Sequence, residues 1–256
     1  FEYARKVGIT IFSTPFDEKA VDLLEELNSP AYKIASFECV DLNLIKRVAQ
    51  TKKPLIISTG MANAEEIGEA VEMAKKHGIG ELTLLHCVSG YPAPSTDYNL
   101  KTIQDMKKRY EVNVGLSDHT MTNVTSVAAV SLGAVMIEKH VTLDRNGGGA
   151  DDSFSLEKEG LLELCSATKT AWNSLGKVNY DRTESEIGNV KFRRSLYFVR
   201  SLQAGDVITK NDIRSVRPGY GLPPKYFNKL VGTCVLKAIE ANTPVTLETV
   251  KLPNEL

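Results

Sequence analysis

The 256-residue chain carries 31 Lys and Arg against 32 Asp and Glu, with 42% hydrophobic and 25% charged side chains, so it can bury a large core without a disulfide or a metal. The near-zero net charge and the lack of a long basic run argue against nucleic acid as a partner, and no apolar run approaches the roughly 20 residues of a membrane-spanning helix. Cys39, Cys87, Cys165 and Cys234 are far apart, form no CxxC pair and mostly sit in apolar contexts that suit packed, reduced thiols, a usage that fits a cytoplasmic setting.

The opening "FEYARKVGIT" reads as the middle of a helix entering a strand, and an N-terminal part is expected to be missing. Short β-rich apolar runs then alternate with amphipathic stretches. Strands are predicted at 9–14 (ITIFST), 31–36 (AYKIAS), 54–59 (PLIIST), 82–87 (LTLLHC), 112–117 (VNVGLS) and 134–140 (AVMIEKH). "DEKAVDLLEELN" follows the first as a helix, and "NAEEIGEAVEMAKKHG" follows the third, with Asn63 as its N-cap and Gly78 closing it.

This alternation is the signature of parallel βα units. Thr14, Ser36 and Glu38, Ser58 and Thr59, Ser89, Ser117 and His119, and His140 all fall at or just beyond a strand's carboxyl end, the face where βα folds bind ligands. Any one of these hydroxyls could simply cap the next helix; their convergence favours a site. A (β/α)8 TIM barrel needs eight strands, so the first two βα units are expected to be absent from residues 1–178. The alternative, a six-stranded doubly wound sheet, lacks a Gly-rich dinucleotide fingerprint. Residues 179–191 turn polar and read as a linker; residues 192–256 combine short β-like pieces with Gly and Pro punctuation, a small, mostly β domain that should dock on something.

His119 and His140 lie 21 residues apart, one βα repeat, so adjacent strands would present them side by side. Two imidazoles there make a half-site for a divalent metal with open positions, or else a packing feature. His86, inside an apolar run, reads as structural, and His77 as a solvated helix residue. Lys33 lies within an apolar strand, where a buried ammonium requires an anion, and Thr14, Ser36, Ser58 and Ser117 could offer hydroxyls to a bound phosphate or carboxylate. Glu38 is either a surface or capping acid or a proton-transfer group at the rim. Arg217 precedes a Pro-Gly turn that would fix its direction toward another domain's cleft.

In order, the motifs "FSTPFD", "AYKIASFE", "PLIISTGM", "LLHCVSGYPAP", "GLSDHT", "EKHVTLDR" and "RPGYG" resemble the nonulosonic (sialic-type) acid synthases over essentially the whole chain. "RRSLYFVR" and "RSVRPGYGLPPKY" are most similar to the pseudaminic acid branch. The resemblance implies a TIM barrel joined to an antifreeze-like SAF domain, in a domain-swapped homodimer whose small domains cover the partner barrels. It implies condensation of phosphoenolpyruvate with an N-acetylated aldose, here a 6-deoxy-2,4-diacetamido hexose, with Mn or Mg as cofactor. By the same resemblance Lys33, Thr14, Ser36, Ser58 and Ser117 bind phosphoenolpyruvate, His119 and His140 hold the metal, Glu38 is the active-site acid and Arg217 reaches the sugar. Ser89 stands where neuraminate synthases have Asn, and Phe37 where they have a smaller residue, which leaves N-acetylneuraminate and legionaminic acid synthesis as alternatives. A non-catalytic sugar-binding or polysaccharide-assembly protein is the reading from a different class.

Overall fold

The computed structural model describes residues 1–252, so positions 253–256, assigned above to the small domain, lie outside the described residues. The chain divides into two compact units, Phe1–Lys177 and the remainder from Val178.

In the first unit, helices α1 (Glu2–Val7) and α2 (Glu18–Glu26) precede strand β1 (Tyr32–Ile34). There follow α3 (Leu42–Ala49), β2 (Leu55–Ser58), α4 (Ala64–Lys76), β3 (Leu82–Cys87), α5 (Thr102–Tyr110), β4 (Asn113–Ser117), α6 (Val124–Ser131), β5 (Ile137–Glu138) and α7 (Lys158–Leu175). The five strands form one parallel sheet in the order β1-β2-β3-β4-β5, each βα unit adding the next strand: a run of a TIM-type (β/α) barrel. Every residue of β1 and β2 is buried, as expected of parallel strands covered on both faces. Ile34, Ile57, Leu84 and Leu116 are fully enclosed in the core that joins the sheet to its helices.

Local chemistry sets the element ends. Asn63 caps α4 in a capping box: its side chain accepts from the Glu65 and Glu66 amides, while the Glu66 carboxylate accepts from Asn63 N at 2.8 Å. Asp17 caps α2 and Asp41 caps α3 in the simpler way. Gly78 closes α4 at φ 84°, a conformation that favours glycine.

The expected strand at 9–14 is corrected: only Ser13 makes an isolated bridge, to Tyr32, while Ile9 (65% exposed), Ile11 and Phe12 remain open to solvent. An apolar run becomes a strand only where a neighbour supplies hydrogen-bond partners, and Ser13 alone finds one. The cysteine expectation also needs amending, because Cys39 and Cys87 are buried but Cys165 and Cys234 are exposed; all four are free.

In the second unit, α8 (Glu184–Ile187) lies within the stretch read as a linker, and the Glu186 carboxylate accepts from Thr183 N at 3.0 Å. Strands β6 (Ser195–Phe198) and β7 (Ile213–Val216) pair antiparallel, Leu196 opposite Ser215, and α9 (Phe227–Leu230) follows. Isolated bridges such as Leu202 to Ile239 and Val235 to Val250 wrap the chain around Phe198, Ile208, Ile213 and Val245.

Asp212, fully buried, accepts hydrogen bonds from the Arg200 guanidinium and, at 2.7 Å each, from the amide and hydroxyl of Thr209. The Arg200 contact holds its carboxyl down at about 2, against the burial that pushes it up, with Thr209 adding to the depression. A carboxyl depressed in the folded state contributes stability above its unfolded pKa and loses it as the pH falls through the folded value. The second unit should therefore lose stability between about pH 4 and pH 2. Asp212→Asn should flatten that slope and cost about 2 kcal/mol at pH 7. Acid titrations of the two proteins followed by circular dichroism check this; parallel curves would contradict it.

Candidate active site

In a parallel sheet every strand presents its carboxyl end to the same side. Here β2 ends at Ser58, β3 at Cys87, β4 at Ser117 and β5 at Glu138, with Ser36 two residues beyond β1. Together with Thr14, Lys33, Tyr91, Lys139 and the two histidines, these ends line one cavity of about 340 Å³. A larger cavity of about 510 Å³ between β5 and α7 is lined mainly by apolar groups such as Val135, Leu161, Leu164 and Trp172, with Lys139, Cys165, Thr168 and Lys169 as its polar members.

Lys33 is buried, and its Nζ lies 3.3 Å from Glu138 Oε2. The other carboxylate oxygen of Glu138 accepts from Ser117 Oγ at 2.8 Å. One partly buried carboxylate thus holds both the ammonium and a cradle hydroxyl. The Ser58 hydroxyl lines the same cavity, is 2% exposed and has no hydrogen-bond partner among the described residues, as expected of a group that a bound anion satisfies.

Gly60 adds a backbone donor, its amide reaching Ser36 Oγ at 3.1 Å. A Cβ at this position would stand 2.2 Å from Ser89 Oγ and 2.8 Å from Ser36 Oγ. Gly60→Ala should therefore displace both serines and weaken binding of a phosphorylated anion in the cavity by roughly tenfold, while a thermal melt shifts by only a few degrees. Unchanged binding by calorimetry would mean that the two hydroxyls do not serve the ligand.

The histidine pair is set just as specifically. His119 N accepts no choice of register: it donates to the Tyr98 hydroxyl at 2.6 Å, and Nδ1 meets the Val88 carbonyl at 2.8 Å. A carbonyl only accepts, so Nδ1 carries the proton and Nε2 keeps its lone pair. His140 Nδ1 lies 3.2 Å from Asp151 Oδ2, which orients that ring by the same logic. The ring centroids are 5.2 Å apart, and Tyr91 packs against both rings. Among the described residues no group of three or more His, Cys, Asp or Glu is arranged to hold a metal. The donor set fits a divalent ion held by two imidazoles, with its other positions left to water or substrate oxygens.

Burial works against the His119 imidazolium, yet hydrogen bonds with Cys87 and the Val88 carbonyl outweigh it and hold the group above its usual value. For Cys87, burial pushes the thiol up, but His119, Ser36 and Ser117 together draw it below its usual value.

Of the residues singled out in the sequence, Thr14, Lys33, Ser36, Ser58, Ser117, His119 and His140 meet at this cavity. Glu38 is not in its lining; it ends the short turn Ser36–Glu38 with Oε2 buried and without a partner among the described residues. Ser89 borders the cradle through Gly60. Arg217 belongs to the second unit, exposed directly after β7. His86 is structural as expected, its Nε2 bonded to the Tyr98 carbonyl. His77 caps the C-terminus of α4.

Sequence reading missed Glu138, Cys87 and Tyr91. The period-2 rule offered a signal for the first, because residue 138 must share a face with His140.

Residues 1–180 match the NeuB family and residues 193–251 the SAF domain. The chain is 38% identical to the pseudaminic acid synthase of Helicobacter pylori over 252 residues, 98% of this chain and 74% of that protein. It is also 38% identical to the N,N'-diacetyllegionaminic acid synthase of Campylobacter jejuni, over 92% of this chain and 71% of that one. The crystal structure of the spore coat polysaccharide biosynthesis protein SpsE of Bacillus subtilis superposes with a TM-score of 0.65 at 32% identity, covering 99% of this chain and 76% of that one. A parallel βα sheet whose strand ends gather a lysine, a hydroxyl cradle and two histidines, followed by a SAF module, identifies the chain as a member of the NeuB family, an enzyme of the sialic acid synthase type.

Proposed function

We propose that the chain condenses phosphoenolpyruvate with a 6-deoxy-2,4-diacetamido hexose to give pseudaminic acid and phosphate. The observation that carries this reading is the cavity in which Lys33, the unsatisfied Ser58 hydroxyl, Ser36 and Ser117 face the same space as His119 and His140. The pseudaminic acid synthases among the relatives favour this sugar.

In this reading Lys33 and the hydroxyls of Thr14, Ser36, Ser58 and Ser117 hold the charge of phosphoenolpyruvate, and since all of these but Thr14 are buried, their contacts are worth more than at a surface. Glu138 keeps the Lys33 ammonium and Ser117 aimed into the cavity. His119 and His140 would hold Mn or Mg, which when bound supplies Lewis acidity to the sugar aldehyde. The enol carbon forms the new C–C bond to that aldehyde carbon, whose oxygen takes up a proton to become a hydroxyl; water adds to the carbon that bears the phosphate and gives up a proton, and the bond from that carbon to the phosphate oxygen then breaks to release phosphate. Glu38, outside the cavity lining but with a buried, unpartnered oxygen, is assigned to orienting a hydroxyl or moving a proton. Arg217 is assigned to the sugar, contributed by the SAF domain of a partner in a domain-swapped homodimer, in a cytoplasmic enzyme.

Phosphate release from phosphoenolpyruvate, measured with Mn and with the diacetamido hexose, its legionaminic counterpart and N-acetylmannosamine in parallel, tests the reading. Release with the first sugar alone supports it. Release with either of the others alone moves the chain to that branch, and sugar binding without release would favour a non-catalytic carbohydrate-binding protein.

A further inference from the structure

Asp118 and Lys139 are the residues immediately before the two histidines, and neither has a part in the chemistry above. Both are enclosed: their side chains are 0% and 3% exposed, with Nζ 3.0 Å from Asp118 Oδ2. Every donor and acceptor of the pair is used. Lys139 Nζ also donates to the carbonyls of Thr120 at 2.7 Å and Thr122 at 3.0 Å. Asp118 Oδ1 accepts from Thr120 N at 2.8 Å and Oδ2 from Ser126 Oγ, on α6, at 2.6 Å. Backbone pairing adds Asp118 N to Glu138 O at 2.9 Å.

The geometry of these contacts has a consequence for the imidazoles. The Lys139 side chain leaves the β5 strand one residue before His140 and grips the loop on both sides of His119, through Asp118 behind it and Thr120 and Thr122 ahead of it. Lys139 borders the same cavity as the rings, but its ammonium is engaged by Asp118 and the two carbonyls, so the pair ties the two strand ends together and offers no free charge to a ligand. A buried ion pair with complete hydrogen bonding is rigid, and removing one member leaves a charge without compensation. We propose that Asp118 and Lys139 are positioning residues that set the separation of the His119 and His140 rings and thereby the affinity for the divalent cation. This rests on the metal reading given above.

The test uses the full chain and reads Mn binding directly, by the electron paramagnetic resonance signal of free Mn, beside calorimetry with phosphoenolpyruvate. The variants are Asp118→Asn/Lys139→Met, which removes both charges together, Ser126→Ala, which loosens Asp118 with both charges kept, and His119→Ala as the reference for loss of a ligand. The double variant should bind Mn about tenfold or more weakly, a typical effect of disturbing groups that orient metal-binding histidines, while phosphoenolpyruvate affinity stays within about twofold. Ser126→Ala should weaken Mn in the same direction by a smaller factor, and it decides the matter if the double variant does not fold. Parent-like Mn affinity in a folded double variant, or in Ser126→Ala where the double variant fails to fold, overturns the proposal while His119→Ala still loses Mn. Equal losses for Mn and phosphoenolpyruvate would also overturn it, since a purely structural role predicts that pattern. Retention of Mn by His119→Ala would overturn the metal reading itself, and the positioning role with it.

Discussion

Lys33→Met should lower turnover by roughly a thousandfold and weaken phosphoenolpyruvate binding by about a hundredfold, because on the proposed reading it removes the buried cation that meets the ligand's phosphate. Methionine keeps most of the aliphatic stem that packs in β1, so the loss should appear in kinetics more than in the fold. It does leave Glu138 without its partner at 3.3 Å, and a partly buried carboxylate stripped of its ion pair destabilises the strand ends. A second substitution separates the two consequences. Lys33→Met/Glu138→Gln restores charge balance, and Gln can still accept from Ser117; stability should return in a thermal melt while turnover does not. Recovery of turnover in the double variant would mean that Lys33 serves only to neutralise Glu138, and the phosphate assignment would fall.

That prediction draws on a residue which the sequence announced and on one which it did not. Lys33 was legible because an ammonium inside an apolar run is anomalous wherever it occurs, and the anomaly demands an anion. The anion found here is Glu138, which looked like one more charge in "EKH", a cluster whose members differ only in the face they take. Strands such as β3 were readable from continuous apolar runs, since both faces of a parallel strand are covered. The run at 9–14 had the same composition and failed, because pairing depends on a neighbouring strand that no local pattern encodes. Side-chain roles at strand ends follow from alternation once one member is known. The partners that fix them, such as the Val88 carbonyl under His119, come from another strand and a loop, a long-range fact invisible to spacing.

On the proposed metal reading, His119→Ala should abolish Mn-dependent turnover, with Mn affinity falling by at least a hundredfold, because it deletes one of the two imidazoles assigned to the ion. The fold should survive: the backbone amide of residue 119 still reaches the Tyr98 hydroxyl. What alanine does lose is the proton given to the half-buried Val88 carbonyl, and an acceptor left unpaired there costs about 1 kcal/mol. Asparagine distinguishes the two roles of the ring. Its amide nitrogen occupies the place of Nδ1 and can renew the bond to Val88, whereas nothing in it stands for the Nε2 lone pair. His119→Asn should therefore recover most of the thermal stability lost in His119→Ala and none of the Mn binding, by melting and by paramagnetic resonance respectively. If Asn restores both, the ring's contribution was to hold the loop in place, and the metal site must be sought elsewhere along the strand ends.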